Sequence, residues 1–149
     1  MAFDPKGGSF RREIFPEYKA NRKPMPEELR RQDPVIRDLL AHMGLTIIER
    51  EGFEADDILG TFARRCEEAG IPALLVTGDR DSMQLVTETS SVLYTRRGVS
   101  DVVRYTPEKV LEDFGVTPAQ IPDLKGLMGD ASDNIPGVPA SVKKRRSSC

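Results

Sequence analysis

The chain has 149 residues, 22 lysines and arginines against 24 aspartates and glutamates, a net charge of −2 and 38% apolar side chains. That is the size of one domain with a modest core, and so balanced a charge does not by itself point to a nucleic-acid or membrane partner. A lone histidine, His42, excludes a His-rich zinc site. The distant Cys66 and Cys149 make neither a disulfide framework nor a metal knuckle, so a reducing cytoplasm and a soluble, monomeric protein without signal peptide or membrane span are expected.

The first stretch, Phe3 to Pro26, reads as loop over much of its length, broken by Pro5, Gly7, Gly8, Pro16, Pro24 and Pro26. Within it six cations (Lys6, Arg11, Arg12, Lys19, Arg22, Lys23) stand against Glu13 and Glu17. Leu29, Val35, Ile36, Leu39, Leu40 and Met43 recur at helical spacing and predict a helix over Glu27–Met43. Pro34 fits there if Asp33 caps a helix that begins at Pro34, or if the helix kinks at that point. Leu45–Arg50 reads as a strand and Glu54–Ala69 as a second helix, stopped by Gly70-Ile-Pro72. Ala73–Thr77 is nearly continuous in apolar residues, as in a buried parallel strand. Two further strands, Ser91–Thr95 and Val102–Tyr105, join through Arg96-Arg-Gly98. A short helix over Pro107–Phe114 has Thr106 as its cap and Gly115 as its stop, and another helix covers Pro118–Met128. The alternation predicts an α/β fold with a mostly parallel sheet flanked by helices.

The acids fall at particular points of that pattern. Asp4 ends an N-terminal strand, Glu54, Asp56 and Asp57 open a helix, Asp79 and Asp81 follow a strand, and Asp130 and Asp133 lie in a Gly-rich loop. Each has a plain reading alone: helix N-terminal acids favoured by the macrodipole, a turn with a capping aspartate, a polar loop of Asx-turns. On a helical wheel Asp57 points further outward than Glu54 and Asp56. Taken jointly, the four groups can converge on the rim where strands end and helices begin. Carboxylates brought together repel, and divalent cations relieve the repulsion; Mg²⁺ or Mn²⁺ take such hard oxygen ligands. Two ions clamp a phosphodiester for in-line attack, which needs no catalytic His or Cys. The cations Lys6, Arg11, Lys19, Arg22 and Lys23 suit DNA phosphates. A competing reading takes Asp79-Arg-Asp81 as a phosphatase site forming an aspartyl-phosphate, but it leaves Glu54, Asp56, Asp130 and Asp133 without a role.

The ordered motifs Phe3-Asp-Pro-Lys6, Ser9-Phe-Arg11, Tyr18-Lys-Ala-Asn-Arg22, Gly52-Phe-Glu-Ala-Asp-Asp57, Thr77-Gly-Asp-Arg-Asp81 with Gln84-Leu85, and Gly129-Asp-Ala-Ser-Asp-Asn-Ile-Pro-Gly-Val138 resemble the 5′-nuclease domain of bacterial DNA polymerase I, in the flap-endonuclease superfamily. The resemblance spans residues 2–139 and implies a PIN-like fold and metal-dependent 5′–3′ exonuclease or 5′-flap endonuclease action on DNA, as in replication and repair. It assigns Asp4, Glu54, Asp56 and Asp79 to one metal ion, with Asp57 near it, and Asp81, Asp130 and Asp133 to a second. It gives Arg11, Lys19 and Arg22 the task of steering the scissile phosphate. The family also carries an N-terminal strand with a further aspartate and a C-terminal helix–hairpin–helix, both expected to be incomplete here. Residues 1–139 are then a partial nuclease domain, once fused to a polymerase domain, and 140–149 a disordered basic tail. Without those pieces, a DNA-binding fragment lacking activity is the alternative.

Overall fold

The computed structural model describes residues 1–98 and 100–139; the basic tail of the sequence reading lies outside the described residues. The chain divides into two compact units, Met1–Leu59 and a second from Gly60 onward.

In the first unit, β1 (Ala2–Phe3) pairs in parallel with β2 (Ile48–Glu49), Ala2 opposite Ile48. The strand expected over Leu45–Arg50 is therefore reduced to its centre, because β1 offers two residues to pair with. Beyond the ladder the Met1 amino group donates to the Thr46 carbonyl at 2.7 Å. The basic stretch is not all loop: α1 (Arg11–Ile14) forms one short turn of helix within it. The long helix α2 (Glu27–His42) runs through Pro34, so the proline neither starts the helix nor interrupts it. Pro34 forfeits one backbone donor. Asp33 reaches forward to Arg37 at 3.1 Å, and Arg37 also holds Glu49 at 2.6 Å, tying α2 to β2. Helix α3 (Ala55–Glu68) starts one residue later than the sequence suggests.

In the second unit, β3 (Ala73–Thr77) pairs in parallel with β4 (Ser90–Arg97), and β4 pairs antiparallel with β5 (Asp101–Tyr105), in the order β3-β4-β5. The strand β3 lies at the edge of this sheet and is buried on one face only. Leu75 points into the core, while Leu74 and Val76 are exposed. Alternate side chains leave a strand on opposite faces, so an apolar run does not guarantee burial of both. A six-residue 3₁₀ segment, Arg80–Leu85, follows β3 and puts Met83 into the core with Val92, Val110, Tyr105 and Ile121. Met83, Val92 and Val110 are fully buried, each contributing about 1.5–3 kcal/mol of hydrophobic stabilisation.

Helix α4 (Pro107–Phe114) has the expected ends. Thr106 Oγ1 accepts from the Lys109 N–H at 3.5 Å, and Gly115 closes the helix at φ +73°. The expected Pro118–Met128 helix is instead two pieces, a 3₁₀ turn over Pro118–Gln120 and α5 (Ile121–Met128). Pro122 has no N–H to give to the Pro118 carbonyl; the Ile121 N–H takes that acceptor in 3₁₀ fashion. The fold is α/β with parallel and antiparallel pairings. Among the described residues no helix is long and apolar enough to cross a membrane.

Candidate active site

The first unit gathers one group of candidate residues around the start of α3. Asp4 follows β1 directly, and its Oδ1 accepts the Ala55 N–H at 2.7 Å, so one acid holds the helix start that carries the others. Asp57 Oδ2 reaches back to the Glu54 N–H at 2.8 Å, the reciprocal half of a capping box. Backbone pairing of Ser9 with Gly52, together with the Phe10 N–H bonded to the Gly52 carbonyl at 2.9 Å, lays the basic segment beside this helix end. Gly52 makes the turn at φ +80°, a region L side chains avoid.

Two basic residues then meet the acids. Arg11 donates both guanidinium nitrogens to Asp57, Nη1 to Oδ2 at 2.8 Å and Nη2 to Oδ1 at 2.7 Å, a bidentate pair. Hydrogen bonds from Arg11 hold the Asp57 carboxyl below its ordinary range, outweighing the opposing effect of burial. Lys19 Nζ donates to Glu54 Oε2 at 2.7 Å, and the hydroxyl of buried Tyr18 donates to the same oxygen at 3.1 Å. Burial pushes Glu54 upward, but the hydrogen bonds from Lys19 and Ser9 prevail and its carboxyl lies below the usual value. Lys19 sits at φ +56°, an unusual backbone for a lysine, which aims its ammonium back at α3. Asp56 is half-buried on the same first turn, while Lys6, Arg22 and Lys23 are exposed.

The second unit gathers a separate group. Asp79 caps the 3₁₀ segment, its Oδ1 accepting the Asp81 N–H at 2.9 Å. Asp130 lies in the loop after α5, where its Oδ1 accepts from both the N–H and the hydroxyl of Ser132, at 2.8 and 2.6 Å. This loop closes tightly. A Cβ on Gly129 would run into the backbone of Gly137 and Ile135, and Gly129 itself has φ +71°. Asp133 is half-buried in the same loop, its N–H on the Asp130 carbonyl at 3.2 Å. Lys125, from α5, joins Asp81 to Asp130: its Nζ lies 2.6 Å from Asp81 Oδ1 and 2.7 Å from Asp130 Oδ2. Burial opposes ionisation of Asp130, but Lys125 and Ser132 hold its carboxyl far below the usual range.

Among the sequence-derived residues, Arg11 is thus brought onto Asp57, Lys19 onto Glu54, Asp4 onto the α3 start, and Asp81 and Asp130 onto a shared lysine. In this arrangement basic side chains supply the charge compensation that clustered carboxylates need. Among the described residues no three Asp, Glu, His or Cys side chains stand close enough together to hold one ion. Tyr18, Lys125 and Ser132 were given no role in the sequence reading, although Tyr18 and Ser132 stand inside its motifs. The only signals for them are the tyrosine beside Lys19, a lysine five residues before Asp130, and a serine two residues after it.

An α/β scaffold whose strand and helix ends carry paired carboxylates and arginine or lysine partners defines a class of phosphate-handling fold, here of the PIN-like nuclease type. Residues 1–115 match the family described as 5′-3′ exonuclease, N-terminal resolvase-like domain, and the chain belongs to that family. It is 47% identical over 143 residues to DNA polymerase I of Mycobacterium tuberculosis and 49% identical over 144 residues to DNA polymerase I of Bacillus subtilis. These alignments cover 96% and 97% of the chain but 16% of each polymerase, so the chain spans about one sixth of those relatives. Its fold superposes with a TM-score of 0.73, at 28% identity, on the bacteriophage T5 D15 flap endonuclease solved as a pseudo-enzyme–product complex with DNA and metal ions. That match covers 97% of this chain and 56% of the other.

Proposed function

We propose that the chain is the metal-dependent nuclease part of a 5′–3′ exonuclease or 5′-flap endonuclease that hydrolyses DNA phosphodiesters. Membership of the 5′–3′ exonuclease family carries the reading. The likeness to a flap endonuclease crystallised with DNA and metal ions supports it.

The donor chemistry fits a pair of Mg²⁺ or Mn²⁺ ions. All the acids offer hard oxygens, and Asp81 Oδ1 is a buried carboxylate oxygen whose charge is met by the Lys125 ammonium at 2.6 Å. By the resemblance drawn from the sequence, Asp4, Glu54, Asp56 and Asp79 would hold one ion, with Asp57 beside it, and Asp81, Asp130 and Asp133 the other. Bound there, divalent ions would supply positive charge for phosphodiester hydrolysis. The protein's own share is positional. Asp57 keeps Arg11 extended across the start of α3, and Glu54 does the same for Lys19, so both cations are pre-placed for a phosphate oxygen. Arg22 extends that basic surface, and Lys6 and Lys23 add sequence-independent grip on the DNA backbone. The protein works as a cytoplasmic monomer on DNA with 5′ ends or flaps, and its relatives carry this domain within a polymerase.

A second reading, DNA binding without turnover, is favoured by the carboxylates already engaged by Arg11, Lys19 and Lys125. Mg²⁺-dependent cleavage of a 5′-flap DNA, with Asp79→Ala in parallel, separates the two. Cleavage abolished by the substitution supports the nuclease. Flap binding without cleavage, in protein whose circular dichroism shows it folded, leaves the binding module. Trapping of a phosphorylated aspartate would instead favour the phosphatase reading.

A further inference from the structure

Lys125 touches two of the candidate acids at once, and the family match, which ends at residue 115, does not reach it. Asp130 Oδ2 receives a hydrogen bond from Nζ at 2.7 Å. Asp81 Oδ1, a buried oxygen, is 2.6 Å from the same nitrogen. One ammonium therefore stands between a carboxylate oxygen of each acid, where the same two charges would also attract a metal cation.

The surroundings are built to keep that position. Asp130 is the most enclosed of the three side chains, at 15% exposure, and Ser132 occupies its other oxygen twice, which leaves Oδ2 for the cation. Lys125 is 40% exposed and unbranched, so its ammonium can swing into solvent without disturbing α5. Asp130 is held by Ser132, and the lysine has a path to solvent.

We propose that Lys125 is a built-in counter-cation that occupies the position of a divalent ion between Asp81 and Asp130 and is displaced when the ion binds. It thereby sets the metal affinity of this group of acids. The inference rests on the metal-binding reading given above.

Without metal, Lys125 spares Asp81 and Asp130 their mutual repulsion. With metal, it is a competitor. Removing it should weaken the metal-free protein and tighten metal binding, two effects of opposite sign that a merely structural lysine does not combine. For partly exposed ion pairs the tightening should be about 1.5-fold to fivefold.

The test is Mn²⁺ binding to the full chain at fixed ionic strength, followed by the electron paramagnetic resonance signal of free Mn²⁺. The variants are Lys125→Met, Lys125→Arg, Asp130→Asn and Lys109→Met. Lys109→Met removes the same charge from a lysine paired with Glu112 and Asp113, away from these acids. Support consists of tighter binding in Lys125→Met, near-parent affinity in Lys125→Arg and Lys109→Met, and a site lost in Asp130→Asn. The metal-free Lys125→Met protein should also melt lower and regain the difference with Mn²⁺. If the Asp130-dependent site is present but Lys125→Met binds with equal or weaker affinity, the displacement idea is wrong while the metal reading stands. Equal tightening in Lys109→Met reduces the effect to net charge and overturns the proposal. No Asp130-dependent Mn²⁺ binding in the parent removes both.

Discussion

Replacing Arg11 by Met tests whether the Arg11–Asp57 pair holds the start of α3. Met keeps a long apolar side chain and removes the guanidinium. Two short hydrogen bonds disappear, and Asp57 keeps the Glu54 N–H. The pair is neither buried nor fully exposed, at 33% and 22% side-chain exposure, so its value lies between the roughly 0.2–1 kcal/mol of a surface ion pair and the roughly 1.5–3 kcal/mol of a protected charged hydrogen bond. Loss of the guanidinium from above the Phe10 ring, 4.8 Å away, adds about 0.5 kcal/mol. The expected loss is about 2 kcal/mol, or about 4–8 °C in melting temperature for a chain of this size. The sign with pH follows from Asp57. Its folded carboxyl lies below the unfolded value, so its contribution is complete above about pH 5 and is lost as pH falls through the folded value. The gap between parent and Arg11→Met should therefore be widest near neutrality and close in acid. Thermal melts at pH 7, 5 and 3, combined in a double-mutant cycle with Asp57→Asn, measure it. A gap that is unchanged at pH 3, or single effects that simply add, would refute the assignment.

Gly129→Ala should cost about 2–4 kcal/mol, since the new Cβ meets the backbone of Gly137 and Ile135 at a positive φ, whereas Gly126→Ala in α5 has open space and should stabilise by about 0.5–1 kcal/mol. Urea unfolding of the two variants decides, and equal effects would contradict the close approach. Met83→Ala, at a fully buried site, should lose about 2–5 kcal/mol, while exposed Leu74→Ala should stay within about 0.5 kcal/mol of the parent in the same assay. If the basic stretch grips single-stranded DNA, Lys19→Gln should lower the slope of log affinity against log salt by about 0.7 in a fluorescence-anisotropy titration. An unchanged slope would take Lys19 out of the interface.

The local elements were legible because their causes are local. Thr106 and Gly115 bracket α4 through a side-chain acceptor and a left-handed stop, and apolar spacing marks α2 and α3 as helices, although α2 buries none of its residues. Where a neighbour decides, the reading fell short. Leu45–Arg50 has strand composition throughout, yet pairs only where Ala2 and Phe3 reach it. Ala73–Thr77 looks buried on both sides, yet lies at a sheet edge with Leu74 and Val76 exposed. The Pro118–Met128 segment was misjudged for a local reason, the absent N–H of Pro122, which turns its first residues into 3₁₀ helix.

By itself the sequence determined the acids, their placement at strand and helix ends, and the family. Which acid meets which base was decided by the tertiary structure. Arg11 finds Asp57 and Lys19 finds Glu54 across 46 and 35 residues, and Lys125 reaches Asp81 from another element. Such pairs follow from Gly52, the Ser9 bridge and the tight loop at Gly129. An ion pair is an attraction at a few ångströms, and only the folded chain brings residues so far apart in sequence to that distance.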